Sequence, residues 1–257
     1  MVEYQETNTQ QKHGVSLRWL IFFLPIISSV LSIIACLMSY LIRVNSEELE
    51  PLSTIPYISD LGSMKPSSSV FTLFLVLSSF VTSIVVVVRF FQISSELRCR
   101  KSNRLALVMA FIFLFGKIAV SSFQLSSHKG LHFGAAGLYF GGATIYFAMH
   151  CYITWRELVS VMSSSQRIVF ICRVIFFLGM VPTMTIFTVF AMVPSLAIHN
   201  RGGKNVAQIM EWALALFKFL YLMTFCYDFW KIEFTFTLSF KDVSVKDVDS
   251  DDVAVMV

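Results

Sequence analysis

The sequence is poor in charged residues. Only 14% of its 257 residues are Asp, Glu, Lys or Arg, whereas soluble domains contain roughly 25%. Hydrophobic residues make up 56% of the chain, and the charges cluster between long apolar runs, as in a polytopic membrane protein. The shortage of charge argues against a soluble globular domain. The formal net charge of +4 is therefore not a signature of nucleic-acid binding.

Enzyme signatures are also missing. The sequence contains no phosphate-binding loop, redox CxxC motif, nucleophile elbow or metal-binding helix. It has no N-x-S/T sequon and only five cysteines, none of which falls in a predicted outer loop, so no disulfide framework is expected. We predict a protein without catalytic activity, metal or cofactor, whose main partner is the lipid bilayer and whose protein partners are unknown.

Six apolar stretches have the length of about 17–25 residues that crosses a bilayer. They predict an all-α membrane protein with spans at about 19–42, 70–88, 105–123, 134–154, 174–196 and 212–230. Residues 1–16 are then a polar N-terminal tail, 17–235 the membrane domain, and 236–257 a disordered acidic tail. The first apolar run is too long for a cleavable signal peptide and is expected to act as a retained anchor.

The positions of Lys and Arg predict the orientation. With a cytosolic N-terminus, 13 basic residues fall inside and 5 fall outside, which agrees with the positive-inside rule, while the reverse topology violates it. Both termini are therefore expected in the cytosol, and the first connection is expected to face the lumen or the outside.

That first connection contains the sequence PYISDLGSMKP, which is rich in turn formers. Pro56 and Pro66 restrict their own φ and extend the residues before them. Asp60 can accept backbone N–H groups across a turn, and Gly62 permits a positive φ. The stretch therefore predicts a folded outer cap rather than a loose linker.

The topology brings Asp60, His132 and Glu211 to the outer boundary on three different connections. Such residues can bind a metal or exchange protons, but their spacing matches no ligand motif. We favour a structural cluster that holds the outer loop down, with the metal or proton role as the alternative.

The fourth predicted span carries small residues along one face. They recur at steps of three and four and include Gly134, Gly137, Gly141 and Ala148. Small residues allow helices in a membrane to approach closely. We predict tight packing inside the bundle, and a homodimer contact is the alternative.

Five charged residues lie within the predicted spans or directly at their ends. Arg89, Arg173 and Asp228 fall near the inner ends, where side chains snorkel or pair, and we interpret them as anchors. Lys117 and Lys218 lie about two turns from the outer ends. For these two lysines, snorkelling and a buried polar network are both open.

The first inner loop, ELRCRKSNR, is basic and contains Cys99. Juxtamembrane cysteines are targets of palmitoylation, and the basic run can attract anionic lipid. An ordinary positive-inside loop with an incidental thiol is the favoured interpretation.

Three stretches resemble the DRAM family, the damage-regulated autophagy modulators, within a wider six-helix group that includes Sfk-type and Frag-type proteins. They are PYISDLGSMKPSSSVF, the pair SSFQ and HFGAAGLYFGGATIY, and EWALALFKFLYLMTFCYDF. The first is the most specific, and it makes a family signature of Pro56, Tyr57, Ile58, Ser59, Asp60, Gly62 and Pro66.

The resemblance implies a modulator of autophagy in an endolysosomal membrane. The Sfk-type relatives imply instead a plasma-membrane regulator of phosphoinositide synthesis or lipid asymmetry. The Frag-type relatives imply a helper in remodelling glycolipid anchors, for which Asp60, His132 and Glu211 would have to converge. A transporter ranks last, because no internal repeat is visible.

Overall fold

The computed structural model describes residues 14–16, 18–46, 55–96, 100–158, 160–192, 201–232 and 235–237. Cys99, residues 193–196 of the fifth predicted span and most of both tails lie outside this part of the chain. In chain order the helices are α1 (Arg18–Asn45), α2 (Ile58–Leu61), α3 (Ser67–Glu96), α4 (Arg100–Ser122), α5 (Lys129–Leu158), α6 (Ser164–Met192), α7 (Arg201–Met223) and α8 (Phe225–Phe229).

Five helical segments are long and apolar enough to cross a membrane: α1, α3, α4, α6 and the combined α7–α8 segment Val206–Phe229. Helix α5 covers the predicted span 134–154 but is not among the five. Its glycines, tyrosines and His150 lower the mean hydropathy of that segment. Five candidate spans are therefore established, and a sixth crossing by α5 stays a prediction.

The six long helices in the described chain form a closed ring. Each packs on the next, in the order α1, α3, α4, α5, α6, α7, and α7–α8 returns to α1. An aromatic core fills the centre, where the ring centroids of Phe147 and Tyr221 lie 4.1 Å apart. The short helix α2 lies over one end of the ring, which we call the cap end, and the opposite end, where α1 begins and α8 ends, is the terminal end.

The architecture is not purely helical. A three-residue strand β1 (Gly14–Ser16) pairs antiparallel with β2 (Thr235–Thr237), in the register Gly14 with Thr237. The all-α prediction holds for the rest of the described chain, and this short pairing joins residues 14–16 of the predicted polar N-terminal tail to 235–237, where the predicted acidic tail begins. The prediction missed the pairing because each strand gains its partner only when the ring brings the two ends together.

The tight contact between α4 and α5 involves two glycines, Gly116 and Gly142, that are not part of the predicted stripe. A Cβ added at Gly134 or Gly137 would meet no atom within 4 Å, and one at Gly141 would lie 3.7 Å from Met184. By contrast, a Cβ on Gly116 would collide with the backbone of α5, and one on Gly142 would lie 3.0 Å from Phe113. The tight contact between α4 and α5 therefore depends on Gly116 and Gly142.

Candidate functional site: the cap and the cavity beneath it

Residues 55–66, here called the cap, fold into α2 and the turns around it. Leu61 is fully buried in an apolar cluster with residues of α1 and α3 that include Cys36 and Phe71. Gly62 has φ −92° and does not use the positive φ that glycine permits. A Cβ there would lie 2.5 Å from the Phe71 ring. Glycine is required because the ring occupies the space of a side chain.

Helix α7 anchors the cap through two adjacent residues. A carboxylate oxygen of Glu211 accepts a hydrogen bond from the Ile58 N–H at 2.8 Å, and Ser59 donates to the same carboxylate. The Trp212 Nε1–H donates to the Pro56 carbonyl at 2.9 Å. Bonds to a buried carboxylate are among the stronger ones in proteins, so Glu211 holds the cap to the last long helix.

Two further elements hold the other side of the cap. The Arg43 guanidinium at the end of α1 donates to the Asp60 carbonyl at 2.6 Å. The Ser126 hydroxyl, between α4 and α5, donates to the Ser63 carbonyl at 2.7 Å. The cap is therefore tied to segments that are distant from it in sequence.

The Tyr57 phenol stays neutral at the cap. Burial raises its pKa above the ordinary value of 10, and the neighbouring carboxylates of Glu211 and Asp60 raise it further. A neutral phenol keeps its O–H as a hydrogen-bond donor across the physiological pH range.

The predicted outer cluster is gathered at this end of the bundle. Glu211 and His132 are 4% and 5% exposed and line one cavity, and Asp60 acts electrostatically on both. His132 donates from Nδ1 to the Phe123 carbonyl at 2.7 Å. Within the described chain, no group of three His, Cys, Asp or Glu side chains could hold a metal ion. The proton role stays a prediction.

The cavity beneath the cap holds about 60 Å³ of space open to water-sized molecules, within a concavity of about 660 Å³ that includes open solvent at its mouth. The cap and all six long helices contribute to its wall, which is mainly apolar and aromatic. Its polar lining includes Glu211, His132 and Ser59 near the cap, and Lys218, Ser32 and Tyr139 deeper in the bundle. A concave apolar site with a few polar groups is the usual form of a small-molecule site.

The two lysines within the spans do not snorkel. Lys117 is 3% exposed and its ammonium group donates to the hydroxyls of Ser78 and Ser32, at 2.5 and 3.1 Å. Lys218 is 7% exposed and its Nζ lies 4.1 Å from the Tyr139 ring centroid. Lys117 therefore belongs to a buried polar network, and Lys218 is held by aromatic faces.

A second polar cluster lies at the terminal end. Arg89 and Arg173, which were interpreted as anchors, are 5% and 2% exposed, and both contact the Asp228 carboxylate. The spacing of the three residues in sequence gave no sign of this shared contact, because each comes from a different helix.

These features describe a multi-pass helical membrane protein with an anchored cap over an internal cavity. The family described as the Frag1/DRAM/Sfk1/Cwh43P N-terminal domain matches residues 20–232. The chain belongs to this family, as the resemblance of its first connection predicted.

The sequence identity to three individual relatives is 22–25%. The chain is 25% identical over 216 residues to the modulator of macroautophagy TMEM150B of Danio rerio, covering 84% of this chain and 88% of that protein. It is 25% identical over 221 residues to the human DNA damage-regulated autophagy modulator protein 1, covering 80% and 90%. It is 22% identical over 180 residues to human transmembrane protein 150A, covering 69% and 63%. No solved structure matches the chain.

Proposed function

We propose that this chain is a non-enzymatic modulator of autophagy that resides in an endolysosomal membrane. One observation carries the proposal: two relatives that are named as autophagy modulators align with 84% and 80% of the chain. The family match over residues 20–232 includes the cap and most of the ring of helices, so the resemblance is not confined to an isolated motif.

We propose a topology of six spans with both termini in the cytosol. The first and last described segments pair with each other at one end of the ring, which supports an even number of crossings. Helix α5 runs through 134–154 between two candidate spans and supplies the sixth. The distribution of Lys and Arg supports an orientation with the terminal end in the cytosol and the cap in the lumen.

Within this topology, Asp60, His132 and Glu211 shape the luminal surface. Glu211 bonds the cap backbone and His132 bonds the Phe123 carbonyl, which favours anchoring over chemistry. The signature sequence PYISDLG thus serves to fix one luminal surface, which a partner can recognise without any reaction taking place.

The test is to locate the C-terminally tagged chain against lysosomal and plasma-membrane markers and to measure autophagic flux in cells with and without the gene. We expect lysosomal residence and reduced flux on deletion, restored by the wild-type chain. Plasma-membrane residence with unchanged flux would contradict the proposal. The phosphoinositide levels of the same cells would then test the Sfk-type alternative.

A further inference from the structure

A cleft at the terminal end is separate from the cavity beneath the cap. It holds about 70 Å³ of space open to water-sized molecules, within a concavity of about 560 Å³ that includes open solvent at its mouth. It lies between the last turns of α3 and α5, the first turns of α6, and α8. Its polar lining includes Arg89, Gln92, Gln166, Arg173, Asp228 and Lys231. Three of these side chains are cationic and one is anionic.

The charges in this cleft are not balanced by the residues described. Arg89 Nη1 lies 3.1 Å from Asp228 Oδ2, and Arg173 Nη2 donates to the same oxygen. A guanidinium group keeps its charge in proteins, so one carboxylate leaves the pair of arginines with one net positive charge. Arg89 Nε is buried and has no hydrogen-bond partner among the described atoms. A buried excess charge is unfavourable unless a counter-ion joins it.

The position and the donors of the cleft indicate the chemistry of that counter-ion. The planar fork of an arginine matches phosphate oxygens, and such charge-assisted bonds are strong. Lys231 is exposed beside the buried pair, where it can meet a ligand at the mouth. The cleft lies at the end of the membrane-crossing helices, at the depth where phospholipid headgroups lie.

We propose that this cleft binds a phosphate group, which Arg89 and Arg173 meet inside and Lys231 meets at the mouth. The phosphate belongs either to the headgroup of an anionic phospholipid or to a soluble phosphate. The site is distinct from the basic loop ELRCRKSNR, because its two arginines are buried and paired with a carboxylate.

The experiment measures the thermal unfolding midpoint of the purified full-length chain in neutral detergent at constant ionic strength. The added ligand is dioctanoyl phosphatidic acid, dioctanoyl phosphatidylcholine or inorganic phosphate. A ligand that binds only the folded state raises the midpoint with its concentration. We expect a rise with phosphatidic acid and none with phosphatidylcholine. A rise with inorganic phosphate that equals the rise with phosphatidic acid supports the soluble source.

Two lysine variants test the location of the site. Lys231→Gln removes the charge at the mouth, and we expect the dissociation constant for phosphatidic acid to increase about tenfold, as for the loss of one charge-assisted bond. Lys101→Gln removes an exposed charge that does not line the cleft, and we expect no change. Equal losses in both variants would mean diffuse attraction and would overturn the proposal.

A third variant separates ligand binding from a merely structural ion pair. Asp228→Asn leaves both guanidinium groups uncompensated, so we expect a lower unfolding midpoint that phosphatidic acid restores by a larger shift than in the wild type. Loss of stability that no phosphate compound restores would overturn the proposal, as would the failure of both phosphatidic acid and inorganic phosphate to stabilise the wild-type chain.

Discussion

At Gly62 the cap packs directly against the Phe71 ring of α3. The ring of Phe71 occupies the space that any side chain at this position would need. We therefore expect Gly62→Ala to lower the free energy of unfolding by about 1–3 kcal/mol, as overpacking in a filled core does. Thermal unfolding of the purified chain in detergent measures the effect.

Gly130→Ala is the matched control, because a Cβ at Gly130 would meet no atom within 4 Å. This variant is expected to unfold at the wild-type midpoint or slightly above it. Equal unfolding midpoints for Gly62→Ala and Gly130→Ala would contradict the close contact between Gly62 and the Phe71 ring.

Trp212 makes a second prediction at the scale of one residue. Trp212→Phe keeps an aromatic ring but loses the donor to the Pro56 carbonyl, which removes about 0.5–1.5 kcal/mol. Hydrogen–deuterium exchange should then be faster in the peptide that contains Ile58, while the helix peptides keep their protection.

The control for that exchange experiment is Trp155→Phe. Trp155 is 57% exposed and its ring contact is with Tyr152, far from the cap in the sequence. Faster exchange at the cap in this variant as well would indicate a general loss of packing and would argue against the specific anchor.

At the scale of the elements, the pairing of α4 with α5 depends on two glycines that face the opposite helix. Gly116→Ala would push a methyl group against the α5 backbone near Tyr139, and backbone cannot rotate away as a side chain can. We expect a loss of about 1–3 kcal/mol in unfolding free energy, measured by thermal unfolding.

Gly137→Ala is the comparison within the partner helix. The added Cβ would meet nothing within 4 Å, and alanine favours a helix over glycine by up to about 1 kcal/mol. The two substitutions should therefore shift the midpoint in opposite directions. If Gly137→Ala lowered the unfolding midpoint and Gly116→Ala raised it, the predicted stripe would be the packing face of α5.

The helices themselves could be predicted from sequence because apolar length is a local property. Five of the six predicted spans correspond to candidate membrane helices. The contact faces could not be predicted in this way. Nothing near Gly116 or Gly142 in sequence says which helix lies opposite, and Arg89, Arg173 and Asp228 share a contact only after three helices have packed.

The candidate site was predicted in part for the same reason. The cap and the gathering of Glu211 with His132 followed from turn formers and topology. The role of Gly62 did not, because it depends on the position of Phe71. For Lys117 and Lys218 the sequence left two interpretations open, snorkelling and a buried polar network. Aromatic rings and hydroxyl groups of other helices decide between them.

At the scale of the whole molecule, the proposed topology predicts which end of the ring faces the cytosol and which end faces the lumen. Ser127 near the cap and Ser164 at the start of α6 are both exposed. In a Cys99→Ser background and intact lysosomes, we expect Ser164→Cys to react with a membrane-impermeant maleimide and Ser127→Cys to react only after lysis. The opposite pattern would invert the topology.

The anchors of the cap have a consequence for how the protein is made. The partners of Ile58 and Pro56 stand 153 and 156 positions later in the chain. A ribosome that has released the first five long helices has therefore not yet supplied Glu211 or Trp212. Until the last helix enters the bilayer, the cap lacks these two bonds, so its closure reports that synthesis of the helical ring is complete.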